Sequence, residues 1–111
     1  LNTTFLYVKK MEKIVNLMQI ISSLLDKGRY LDTRHAAQRQ NQRLITRPEI
    51  LQVLRQGHHE KRKDVLDKHF KAWNYAVRGK TVDKRDLRII VSFDEGTKML
   101  IITAMEIVGE K

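Results

Sequence analysis

The spacing of apolar residues in this chain changes near its middle, and that change sets the fold class. From Met11 to Lys27, apolar residues recur at Ile14, Val15, Leu17, Met18, Ile21, Leu24 and Leu25, the 3.6-residue period of a helix with a broad buried face. Gly28 is well placed to end it. Asp32 or Thr33 can cap a second helix reaching about Arg43, because both side chains accept hydrogen bonds from unpaired amides. Thr46-Arg47-Pro48-Glu49 is a capping box with proline in the first turn, opening a third helix through Ile50, Leu51, Val53 and Leu54 to Gly57.

Beyond that point the period shortens. Phe70 to Val77 and Leu87 to Phe93 are rich in aromatic and β-branched residues, and Met99 to Val108 is almost continuously apolar, as a central strand would be. Asp94-Glu95-Gly96-Thr97 is a hairpin signal, Gly79 to Asp86 is a longer polar connection, and Glu60 to Leu66 reads as a further edge strand. The order predicts an α+β domain, with N-terminal helices packed on one face of a three- to four-stranded antiparallel sheet. Leu1 to Lys10 match no later pattern and Met11 resembles a natural start. These ten residues read either as a non-native or flexible leader or, through Phe5-Leu6-Tyr7-Val8, as an extension of the first helix or a short strand, with one domain over 11–111.

Charge narrows the partners. The 111 residues include 22 Lys+Arg against 13 Asp+Glu, a formal net charge of +9, which favours polyanions, with nucleic acid first and anionic membrane second. No cysteine is present, so disulfides and thiolate metal sites are excluded and a cytoplasmic location is expected. No apolar run is long enough for a membrane-spanning helix, and no membrane partner is expected. Nucleotide-binding glycine loops and a serine-nucleophile elbow are also missing.

The candidate chemistry lies in two basic knots. In His35-Ala36-Ala37-Gln38-Arg39-Gln40-Asn41-Gln42-Arg43 an imidazole precedes two guanidiniums by four and eight residues, which brings all three near one helical face. Arg78-Gly79-Lys80 follows among the strands. Metal-independent RNA cleavage needs a base for the ribose 2′-hydroxyl, cations for the crowded phosphorane and an acid for the leaving oxygen. His35 is the candidate for proton transfer, with Arg39, Arg78 and Lys80 as phosphate-holding cations. Arg34 and Arg43 are secondary candidates, and Tyr75 and Thr103 offer hydroxyls. Lys61 and Arg62 extend a basic strip that could track RNA backbone or simply protect a sheet edge. Phe70, Trp73 and Tyr75 suit either base stacking or core filling. His58, His59 and Glu60, with Asp67 and His69, match no metal motif, since adjacent strand histidines face opposite sides. No metal or other cofactor is expected.

His35-Ala36 with Arg39, Arg43 and Ile45, then Glu49-Ile50, Val53-Leu54 and Gly57, then Tyr75 to Lys80 and a hairpin ending Ile101-Ile102-Thr103-Ala104, resembles a small bacterial domain family. That family, of unknown function, is grouped with RelE-like toxins in the barnase/EndoU/colicin/RelE ribonuclease superfamily. The resemblance covers about Asp32 to Met105. It implies a helical part on a four-stranded antiparallel sheet, metal-independent endoribonuclease activity by 2′-hydroxyl attack, and a cognate antitoxin over the basic groove. The same cations would also serve a non-catalytic RNA-binding or protein-interaction module, and the apolar first helix would suit a homodimer contact.

Overall fold

The computed structural model describes residues 12–94 and 98–109, and gives the backbone alone for residues 35, 39–41 and 43. The leader at 1–10 and the tip of the last hairpin lie outside the described residues. The described elements are α1 (Leu17–Asp26), β1 (Tyr30–Asp32), α2 (Arg34–Arg43), α3 (Arg47–Gln56), β2 (His58–His59), a 3-10 turn (Lys61–Lys63), β3 (Val65–Asp67), β4 (Ala72–Lys80), β5 (Asp86–Phe93) and β6 (Met99–Glu106). The class is α+β, as the change of period implies.

Local chemistry sets the helix ends. Helix α1 covers Leu17–Asp26, and ahead of it the Ile14 amide donates to the Tyr75 hydroxyl at 2.9 Å, which ties that stretch to the sheet. Gly28, at φ +67°, turns the chain out of it, and the amides of Gly28 and Arg29 close back on the carbonyls of Leu25 and Leu24. For α2 the Thr33 hydroxyl accepts from the Ala36 amide at 3.1 Å, which selects Thr33 over Asp32 as the cap. The capping box at α3 is complete: Thr46 accepts from the Glu49 amide, and Glu49 accepts from the Thr46 amide.

The sheet is larger than expected and mixed. Its order is β1-β6-β5-β4-β2, with β3 also paired to β4, so six strands take part. The additional member is β1, which runs parallel to β6 with Tyr30 opposite Met99 and Asp32 opposite Ile101. Three residues are too few to display a period, which is why it is invisible in the sequence. The edge strand expected over 60–66 is instead broken into β2, the 3-10 turn and β3. The break has a visible cause: Glu60 turns inward to two arginines, and the Asp64 side chain, not a backbone carbonyl, takes the Ala76 amide at 2.9 Å.

Alternation along β4, β5 and β6 sorts the sheet into two faces. Tyr75, Val77, Leu87, Ile89, Val91 and Ile101 join Leu17, Ile21 and Leu24 of α1 and Ile50, Val53 and Leu54 of α3 in one buried cluster. Arg78, Arg88, Ser92 and Asn74, being out of phase with those residues, belong to the opposite face. Helix α2 lies against β6 and β1, on the far side of β5 from β4.

Two glycines set how closely α3 approaches β4. A Cβ on Gly57 would stand 2.5 Å from the Arg78 carbonyl oxygen and 2.6 Å from that of Val53, and one on Gly79 would stand 3.0 Å from the Gly57 Cα. Both obstacles are backbone and cannot swing aside. Gly57→Ala is therefore expected to cost about 1–3 kcal/mol, as overpacked sites do, measured as a fall in the urea midpoint at unchanged slope. An unaltered midpoint would contradict the close approach.

Candidate functional site

The face turned away from the core is organised around one carboxylate. Glu60 follows β2 with its amide bonded to the Ala76 carbonyl at 2.8 Å, which aims its side chain across β4 and β5. Arg88 gives Oε1 its Nε at 2.6 Å and Oε2 its Nη2 at 3.0 Å, while Arg78 donates Nη1 to Oε2 at 2.9 Å. Arg78 also grips Asp86 with two bonds, Nε at 3.0 Å and Nη2 at 2.7 Å. Glu60 is 6 % exposed, Arg88 7 % and Arg78 9 %. Buried charges of this kind persist only when paired and hydrogen-bonded.

The pairing fixes protonation. The hydrogen bonds from Arg88, then those from Arg78, hold the Glu60 carboxyl down at about 2 against burial, which opposes them. The Arg78 guanidinium lowers Asp86 in the same way, and Asp86 first, then Glu60, keep Arg78 firmly charged. Glu60 is consequently a poor proton acceptor near neutrality, since an effective general base has a pKa close to the working pH. Two buried guanidiniums are thus set against Glu60 and Asp86.

The sequence candidates are distributed unevenly about this cluster. Arg78 sits within it, fastened to two carboxylates. Lys80 is exposed one step along the same strand, across from Asp86. Thr103 lies across from Ile90, on the same face as Arg88. Tyr75 is on the core face, where its hydroxyl accepts from the Ile14 amide and donates to the Glu12 carbonyl at 3.4 Å. Burial pushes that phenol up. Lys61 is exposed, and Arg62, also exposed, reaches Glu60 at 3.4 Å. Arg34 is exposed at the start of α2; the side chains of His35, Arg39 and Arg43 lie outside the described residues.

Backbone positions still relate α2 to the other knot. Its C-terminal end meets the β4–β5 turn, because Arg85 Nη1 donates to the Leu44 carbonyl at 3.2 Å and also binds Glu49, while Nη2 reaches Glu106. Residue 35 is nine residues from Leu44, about 13 Å along the axis at 1.5 Å per residue. Arg85, in the turn after Lys80, thus links that turn to the residue that follows Arg43.

An apolar cleft of about 320 Å³ opens at the other end of the same face, lined by Phe70, Asn74, Ser92, Leu100 and Ile102, with Asp67 and Asp94 at its rim. Phe70 is 69 % exposed, whereas Tyr75 is buried and Trp73 half-buried. Of the three aromatics, Phe70 is therefore the one presented for stacking. Sequence reasoning missed Glu60 and Arg88 as a pair. A signal existed: an arginine inside the apolar strand Leu87–Phe93 needs a buried carboxylate, and Glu60 is the acid standing alone in a run of bases.

Residues 33–106 match a domain of unknown function, DUF4258, and the chain belongs to that family. No curated protein and no solved structure matches the chain.

Glu60→Gln removes the carboxylate that Arg78 and Arg88 share, leaving Arg78 on Asp86, and is expected to cost about 3 kcal/mol near neutral pH, in the range for breaking a buried pair. A carboxyl held below its ordinary 4.5 contributes stability that is present above that value and lost as pH falls towards about 2. The gap between wild type and variant, measured by urea denaturation from about pH 6 to about pH 2, should close progressively below about pH 4.5. A gap constant throughout would contradict the pairing.

Proposed function

We propose that this DUF4258 domain acts on RNA, binding a single-stranded segment across the sheet face opposite the core and cleaving it without metal, in the manner of RelE-like toxins. One observation supports this reading most: that face carries an exposed aromatic over an apolar cleft at one end and exposed lysine at the other. Sequence-tolerant binding of single strands uses that combination, bases stacked on rings and backbone tracked by cations. Lys80, Lys84 of the adjoining turn and the basic end of α2 supply the phosphate contacts. Arg78, committed to Glu60 and Asp86, acts as the fixed wall beside them. Proton transfer falls to His35, because Glu60 is too acidic to serve as base. A cognate antitoxin would cover this face with acidic side chains, and a RelE-like arrangement of helices over the sheet belongs to the same proposal.

A second reading has its own support. The Arg78–Glu60–Arg88–Asp86 cluster is better suited to holding a fold together than to stabilising a phosphorane, which favours a non-catalytic RNA-binding module. Labelled single-stranded RNA in chelator separates the two. Binding should weaken with salt at about 0.7 log units per log unit for each phosphate contact, and Phe70→Ala should weaken it about tenfold, the scale of one lost base stack. Cleavage should leave 2′,3′-cyclic ends, and His35→Ala should abolish the cut with binding nearly intact. RNA that is bound but stays whole overturns the enzyme reading, and salt-independent or undetectable binding overturns both.

A further inference from the structure

A second cluster, on the core side of β2, is used by none of this. His59 packs edge-on against Tyr75, with ring centroids 5.8 Å apart, and its Nε2 meets Asp64 Oδ2 at 2.7 Å. The Asp64 side chain is fully buried; its other oxygen takes the Ala76 amide, and Lys13 Nζ stands 3.1 Å from Oδ2. The carboxylate thus fixes the imidazole with Nε2–H as donor. The other nitrogen, Nδ1, is buried with no hydrogen-bond partner among the described residues, on a side chain only 8 % exposed. A buried ring nitrogen costs free energy until a partner completes it.

His59 lines a cleft of about 330 Å³ whose other walls are Val15 to Gln19 and Lys61. Those five residues are the entry and first turn of α1. That ten-residue helix has no side-chain cap and no acidic residue in its first turn, although Asn16 occupies the capping position and spends its amide on Gln19 instead. The amides of Leu17, Met18 and Gln19 have no intrahelical acceptor, and they form the positive end of the helix dipole. Lys61 is exposed at the rim and Lys13 lies behind the imidazole. Among the described residues that line the cleft, Lys61 is the charged one, and its sign attracts an anion.

We propose that this cleft is a phosphate-binding site, in which His59 Nδ1 and the first-turn amides of α1 share the phosphate oxygens and Lys61 closes the outer side. The chemistry of the open valence selects the ligand. A neutral ring needs a donor at Nδ1 and a charged ring needs an acceptor; a hydrogen phosphate or a phosphate monoester supplies either, whereas a diester supplies only acceptors. A neutral ring therefore selects a terminal or free phosphate over an internal linkage of RNA. The site is separate from the RNA face proposed above and does not depend on it.

Nitrogen-15 NMR of the full chain reads the site directly. Titration with inorganic phosphate to millimolar concentration should move His59 Nδ1 together with the amides of Met18 and Gln19, at one common affinity. His59→Gln keeps a donor towards Asp64 and removes Nδ1, and it should weaken binding about tenfold or more, the scale of one charge-assisted hydrogen bond. Lys61→Ala should weaken it severalfold. An RNA strand with a 5′-phosphate, set against the same strand with a 5′-hydroxyl, tells a terminal phosphate from a free one; saturation by either supports the site. Amide shifts without movement of His59, equal affinity in a folded His59→Gln, or no shift with any probe would overturn it. Should His59→Gln fail to fold, the wild-type titration alone decides.

Discussion

A buried carboxylate shared by two guanidiniums holds the non-core face of this domain in place. Glu60 joins three segments far apart in sequence, β2, β4 and β5, through bonds from Arg78 and Arg88. Such a group can occupy a site of low exposure only if every charge is met. The geometry meets that condition, with Asp86 accepting from Nε and Nη2 of Arg78. Without Glu60 the buried Arg78 and Arg88 would lose the carboxylate they share, and the edge of the sheet would lose what turns it inward.

The same interaction shapes the chain around it. Glu60 faces the sheet, so the segment after β2 cannot continue as a strand; it makes a 3-10 turn and returns as β3. The amide of Ala76, left opposite that interruption, is satisfied by the Asp64 side chain, which also anchors His59 and Lys13. One local substitution of side chain for backbone thus builds both the broken edge and the dyad at the mouth of α1. On the opposite face the aliphatic cluster from α1, α3 and the three long strands supplies the hydrophobic stability. The sheet therefore has two sides held by different forces, an aliphatic one and a polar one.

Legibility in the sequence followed the range of the interactions. The helices and the three long strands are written in local periodicity and caps: Thr46 and Glu49 form their box as read, and Gly28 ends α1. The hairpin between β5 and β6 is likewise local. The stretch ahead of α1 was not legible because it is tied to the sheet by a hydroxyl sixty-one residues away from Ile14, on Tyr75. Strand β1 was not legible because three residues carry no period and its parallel pairing to β6 is long-range. The candidate cations were half legible. Arg78-Gly79-Lys80 looks like one basic knot, but strand alternation gives its members different surroundings: Arg78 is neutralised internally, Gly79 is pressed against Gly57, and Lys80 is exposed. Net charge shows that a chain is basic, while only coordinates show which bases are already paired.

The most direct test is a double-mutant cycle between Glu60 and Arg88, using Glu60→Gln and Arg88→Met singly and together, with unfolding free energies from urea denaturation near neutral pH. Residues in one buried ion network should couple by about 1–3 kcal/mol, the double variant being much less damaged than the sum of the two singles. Additive losses, with a coupling near zero, would mean that the carboxylate does not hold this face together.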